Sequence, residues 1–334
     1  MPSPPGRIWP SRRGYDDMPE VPHHRSVAGL ETLMQVMKKP RHEGYRSGRN
    51  NGEKAVIKDI LVQIDGGKSS ASRIEAAIGL AARFEAHVTG LVLALEPMAP
   101  IAVPGLVPVV LPDFVYEETA KAAAAVAAAF RDTMEKAGLT PDCRTVTVLS
   151  IDAAETVALH ARHSDIVILG QTSPDEIVPG GPSFCSDVIM AAGRPALVVP
   201  YIGARATLGE RILVAWNASR ESARAVNDAL PFLVKAKAVT VLTVNPERSG
   251  MENRREPGAD IALHLARHGV KVEAERAIAR DISVGDAILA EIGDNGQDMV
   301  VMGAYGHSRL QEFALGGVTR EMLQVMAAPV LMSH

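Results

Sequence analysis

The sequence predicts an α/β protein built from two tandem, open, parallel five-stranded sheets with helices on both faces, in the Rossmann-like manner. Three observations predict it: short wholly apolar runs alternate with helical periods, the pattern occurs twice, and its loops place glycines just after buried strands. With 334 residues and 47% apolar content, two domains with substantial cores are expected.

The repeat is visible in three pairs of segments. "KDILVQID" (58–65) matches "ERILVAWN" (210–217), "SDIVILG" (164–170) matches "QDMVVMG" (297–303), and "GRPALVVP" (193–200) matches "AAPVLMSH" (327–334). Asn217 lies 152 positions after Asp65, whereas Gly303 lies 133 after Gly170, so the first copy carries 19 extra residues. They fall in its proline-rich loop "PMAPIAVPGLVPVVLP". The boundaries expected are an extension at 1–54, a first domain at 55–201, a linker at 202–206 and a second domain at 207–334.

Each element of the second copy has a local reason. "RILVAW" suits a strand buried on both faces. "SRESARAVNDALPFLVKA" carries Ala223, Val226, Ala229 and Leu230 at helical spacing behind a capping Ser219. "AVTVLTVN" is the second strand, "ADIALHLARHG" a helix, "VKVEAERAI" the third strand and "VGDAILAEIGDN" a helix. "DMVVMG", the helix "VTREMLQVM" and "APVLMS" complete a βαβαβαβαβ order, which implies a parallel sheet. The first copy follows the same plan, with "ETAKAAAAVAAAFRDTMEKAG" as its second helix.

The first fifty-odd residues are rich in Arg, Gly, Pro, Ser and His without sustained periodicity, and a disordered extension is expected there. An arginine-rich tail and a true start at Met34 or Met37 are the alternatives, and "VAGLETLMQVMKK" suits a short helix. A net charge of −4 gives no support to nucleic acid or an anionic membrane as partner. Cys143 and Cys185 are too few for a disulfide framework, and no apolar stretch is long enough for a span, so a cytoplasmic protein is expected.

In open parallel sheets ligands settle beyond the carboxyl ends of the strands where strand order reverses. There Asn217 faces "GAYGHSRLQEFALGGVT", in which Gly303, Gly306, Gly316 and Gly317 follow a buried strand and precede a helix. Glycines allow close main-chain approach and φ > 0, successive amides form an anion nest, and a helix start adds a positive dipole end. Arg309 and His307 add charge, and Ser308 and Thr319 add hydroxyls. The pattern suits a phosphate chain.

Gly303-x2-Gly306-x9-Gly316 after an apolar strand, together with "ILVAWNAS", resembles the universal stress protein family over both copies. The resemblance implies a strand order of 3-2-1-4-5 and, in one branch, ATP in the crevice. It places the adenine near Ala215, Trp216, Asn217 and Val244 and the ribose near Gly303. Phosphates fall to Gly306, His307, Ser308, Arg309, Gly316, Gly317, Val318 and Thr319. Two positions depart from the family pattern: Gly317 stands where a Ser or Thr is usual, and Asn217 where Asp is usual. In the first copy, "GQTSPDEIVPGGPSFCSD", Ser173 replaces the second glycine and Pro182 the third, while Asp175 and Glu176 add negative charge. That half keeps Asp65 and is expected to be structural or to bind something other than ATP.

"DGGKSS" lacks the first glycine of a P-loop and reads as a turn with a capping serine. His160 with His163, and His264 with His268, read as solvated helix faces rather than metal sites. Asp281 and Asp286 read as capping groups at a helix start. The expected protein is a nucleotide-binding stress-response regulator, taking ATP with or without Mg2+, with slow ATP hydrolysis at most and no catalytic residues assigned. Its two copies pair like a dimer within the chain, with homodimerisation and a protein partner as further expectations. The alternatives are an interaction scaffold that uses the apolar loop, and an ATP-dependent ligase of the wider α/β superfamily.

Overall fold

A computed structural model describes residues 56–67, 69–97, 112–172, 179–201, 207–246, 258–306 and 317–334. The expectations for residues 1–54, the apolar loop, the linker 202–206 and positions Ser173, Asp175, Glu176, His307, Ser308, Arg309 and Gly316 lie outside these residues. The first half runs β1 (Asp59–Ile64), α1 (Ser70–Phe84), β2 (His87–Leu95), α2 (Asp113–Lys136), β3 (Asp142–Val148), α3 (Ala153–Ala161), β4 (Ile166–Gly170), α4 (Phe184–Ala192) and β5 (Ala196–Val199). The second half runs β6 (Arg211–Ala215), α5 (Arg220–Asp228), α6 (Leu230–Lys235), β7 (Ala238–Val244), α7 (Ala259–Arg267), β8 (Val272–Ala277), α8 (Val284–Asn295), β9 (Met299–Gly303), α9 (Val318–Val325) and β10 (Val330–Ser333).

Each half has the order 3-2-1-4-5, but the two sheets are one. The full order is β3-β2-β1-β4-β5-β10-β9-β6-β7-β8, and the join is the sheet's antiparallel pairing, Leu331 opposite Leu197. An isolated five-stranded sheet would leave the main-chain groups of its last strand unpaired, and each half covers the other's edge. Both helix-covered cores run across this join. One face holds Phe84 and Phe232, whose rings meet edge-on at 5.1 Å; the other holds Phe184 and Met322. Fully burying each such large side chain stabilises by about 1.5–3 kcal/mol.

Three local expectations are refined. The segment after β6 is two helices, because Pro231 lacks an N–H and opens the second at its first turn. Its buried stripe is Ala225, Val226, Ala229, Phe232 and Leu233, while Ala223 and Leu230 are only partly buried. Asp286 forms a capping box with Ser283 at the start of α8, and Asp281 lies outside that helix. A repeated device escaped the sequence pattern: Asp165 and Asp298, each just before strand four, bind main-chain N–H groups at the start of strand one. Asp165 accepts from Lys58 and Asp59, and Asp298 from Glu210 and Arg211. Among the described residues no helix is long and apolar enough to cross a membrane.

Candidate functional site

Strands β6 and β9 pair directly, Ala215 opposite Met302, so the loops that leave them emerge side by side at the carboxyl edge of the second half. Ala215, Trp216, Asn217, Gly303, Gly306, Gly317, Val318 and Thr319 are brought to this edge, with Val244 at the end of the neighbouring β7. Ala215, Trp216 and Val244 are partly buried and Asn217 is exposed. The Asn217 side-chain oxygen accepts the Ser219 N–H at 3.1 Å, forming a tight turn next to Ala218, whose φ is 59°. Ser219 then caps α5 by accepting the Ser222 N–H at 3.1 Å, as its position predicted.

Beside the close ligand approach expected of them, Gly303 and Gly306 answer a packing demand within the chain. Positive φ falls on Tyr305, at 56°, and on neither Gly303 nor Gly306. A Cβ at Gly303 would lie 2.4 Å from the Ser222 main-chain nitrogen and 2.5 Å from the Glu221 carbonyl carbon. One at Gly306 would lie 2.9 Å from a Glu221 carboxylate oxygen and 3.3 Å from the Ser219 hydroxyl. The first turn of α5 therefore occupies the space that a side chain would need. Gly317 is the N-cap of α9 with a φ of −58°, so it too needs no glycine-specific backbone.

Thr319 is buried, and its hydroxyl accepts the Tyr305 N–H at 3.2 Å. The Tyr305 hydroxyl reaches the Ser186 hydroxyl on α4, which ties this loop to the other half. Two residues here were missed from sequence. Asn245, at a φ of 47°, clamps Ala279 by donating to its carbonyl at 3.0 Å and accepting its N–H at 2.8 Å. An Asn directly after a strand was the available signal, because Asn tolerates the left-handed region. Glu221 is only 6% exposed, and its carboxylate meets Arg220, a side chain 93% exposed, at 3.2 Å.

The corresponding edge of the first half is closed by its own side chains. Arg73, 3% exposed, donates to Asp65 at 2.7 Å and to the Gln63 side-chain oxygen. Among the described residues the buried Arg73 Nε has no hydrogen-bond partner. Burial pushes the Asp65 carboxyl pKa up, but the charge and hydrogen bond of Arg73, with bonds from Gly67 and Gln63, hold it below its ordinary 3.8. Gly170 here is a seat for the guanidinium, since a Cβ would come within 3.1–3.2 Å of Arg73 Cδ, Nε and a terminal nitrogen. Cys185 donates to the Gly170 carbonyl at 3.0 Å, and burial pushes its thiol pKa up to about 11, so it is an inert core group. The "DGGKSS" turn is made by Asp65, which accepts the Gly67 N–H at 2.9 Å; Ser69 makes no side-chain cap bond.

A doubly wound parallel sheet with a crevice at its carboxyl edge defines an α/β protein of the Rossmann-like class. Residues 209–334 match the universal stress protein family. A curated universal stress protein of Synechocystis is 26% identical over 174 residues, which are 50% of this chain and 57% of that relative, so little more than half its length is spanned. The solved structure of a universal stress protein from Archaeoglobus fulgidus, 16% identical, superposes with a TM-score of 0.64 over 82% of this chain and 95% of that one. A functionally unknown protein from Pseudomonas aeruginosa, also 16% identical, reaches 0.54 over 83% of this chain and 92% of its own. These two likenesses concern the fold, and they extend well beyond the residues that the family match covers. The family match is thus confined to the second half, and the likeness of fold takes in the first half as well.

Proposed function

We propose that the chain is a nucleotide-binding stress-response regulator that holds ATP in the crevice of its second half. The observation that carries this reading is the juxtaposition of the loops after β6 and β9 at the start of α9, where a phosphate chain would meet main-chain amides and a helix dipole. In this assignment Ala215, Trp216, Asn217 and Val244 border the base and Gly303 the ribose. Gly306, His307, Ser308, Arg309 and the run Gly316 to Thr319 attend the phosphates. Magnesium, when present, neutralises phosphate charge. We assign no water-activating group, so hydrolysis is slow at most.

The fit is better at the base than at the phosphates. The partly buried Trp216 and Val244 offer apolar surface, whereas the Asn217 carbonyl and the Thr319 hydroxyl oxygen are already engaged within the chain. That engagement favours a second reading, in which the same fold is an interaction scaffold and the glycines serve only to admit α5. Isothermal titration with magnesium–ATP separates the two. Heat of binding that survives deletion of residues 99–111 supports the nucleotide reading, and a folded protein without such heat sinks it.

A further inference from the structure

The nucleotide reading uses the carboxyl edge of the sheet, and the opposite edge holds a second concave place. A cleft of about 710 Å³ lies where α1 of the first half meets the starts of β6, β7 and β10 in the second. Its size falls within the roughly 300–1,000 Å³ usual for small-molecule sites, which favour such junctions. Ala76, Leu80 and Pro329 give it a buried apolar floor, with the partly buried Leu208 beside them. Three cations also line it: Arg83, Lys235 and Lys237. Lys237 is matched by Glu210 at 2.7 Å, whereas Arg83 and Lys235 are held by main chain. Arg83 donates to the Leu208 and Gly209 carbonyls at 2.7 and 3.1 Å, and Lys235 to the Arg83 carbonyl at 2.6 Å. Carbonyl oxygens orient these two cations without cancelling their charge, and neither forms an ion pair among the described residues. The other acid of the lining, Glu75, is exposed and so screened by water.

Gly79, in the wall of the cleft, is the second observation. It lies inside α1 with ordinary helical backbone, where glycine destabilises a helix relative to alanine. A Cβ there would meet nothing within 4 Å, so neither packing nor φ calls for a glycine at this position. Its effect is to leave the cleft wide beside the apolar floor. We propose that this cleft binds an amphipathic organic anion, its acid group held by Arg83 and Lys235 and its apolar body laid on Ala76, Leu80 and Pro329. An acid group suits oriented but uncancelled cations, because charge-assisted hydrogen bonds are the stronger ones. An apolar body suits the floor, where it removes hydrocarbon surface from water. The site is separate from the crevice at the carboxyl edge and does not depend on a nucleotide there.

The test titrates the full chain with anilinonaphthalene sulfonate and with N-phenylnaphthylamine, the same rings without the acid, with and without saturating magnesium–ATP. The parent is expected to bind one sulfonate per chain and to prefer it over the neutral probe by about tenfold or more, as hydrogen bonds to charged groups allow. Magnesium–ATP should leave that binding unchanged. Gly79→Leu should fill the cleft and weaken the sulfonate by about tenfold or more, with a melting curve showing that the variant is folded. Lys235→Gln should cut the preference for the acid by about threefold or more. Decanoate and naphthoate are then added as competitors: displacement by either supports the proposal and tells a chain-like body from a ring. Displacement by neither competitor overturns it, as does displacement by ATP, equal binding of the two probes, or no binding by the folded parent. Parent-like affinity in Gly79→Leu overturns it too. Should that variant not fold, the exposed Lys235→Gln decides, and an unchanged preference there sinks the proposal.

Discussion

The two crevices of this chain share a backbone plan and differ in what fills them. In the first, a guanidinium, a carboxylate and an amide satisfy one another where the glycine of β4 makes room. In the second, the main chain of α5 presses against Gly303 at the end of β9, and the deep charge is a carboxylate that meets the exposed Arg220 among the described residues. A glycine at the same place in a duplicated fold thus answers two different demands. One admits the tip of a flexible side chain and the other admits a helix.

The sharpest way to break this contrast is to add a methyl group to each glycine. Gly303→Ala should destabilise by about 3 kcal/mol, at the upper end of overpacking costs, because its neighbour is main chain. Gly170→Ala should cost about 1 kcal/mol or less, since Arg73 can shift. Urea unfolding of the two variants measures the difference, and equal losses would undo the distinction.

Removing the deep charges comes next. Arg73→Ala should cost about 2–3 kcal/mol, below the usual loss for breaking a buried pair because Asp65 is 37% exposed and can be rehydrated. Glu221→Gln should change stability by less than about 1 kcal/mol, since Arg220, its ion-pair partner among the described residues, is exposed. Thermal melts at neutral pH compare the two.

Acid separates the halves more gently. Because the folded pKa of Asp65 lies below its ordinary 3.8, its contribution is present above that value and is lost as pH falls through the folded one. Asp65→Asn should therefore lose stability at neutral pH and show a flatter decline below about pH 4, read from urea midpoints across pH. The smallest contrast is at the helix caps. Ser219→Ala should cost about 1 kcal/mol through the lost bond to Ser222, whereas Ser69→Ala loses no cap bond.

Much of the fold was legible because parallel strands buried on both faces read as uninterrupted apolar runs, and the repeat confirmed their order. The merging of the sheets was not legible as a sheet, since the β5–β10 join consists of main-chain hydrogen bonds that no side-chain pattern marks. The juxtaposition of the loops after β6 and β9 was legible, but the packing around their glycines was not. Gly303 answers to Ser222 and Glu221, which are distant in sequence, and no periodicity signals such an approach. Glu221 is an acid in the first turn of a helix, and nothing in its sequence neighbourhood marks its burial. Asn217 and Thr319 were read as ligand contacts from their residue types, and the structure shows each already holding local main chain.

The central claim is that one crevice of the two takes a nucleotide. Titration of magnesium–ATP into the full chain, followed by heat and by Trp216 emission in the Trp9→Phe background, tests it most directly. The account predicts one nucleotide per chain with a Trp216 response. Two nucleotides per chain, none, or binding that leaves Trp216 silent would contradict it.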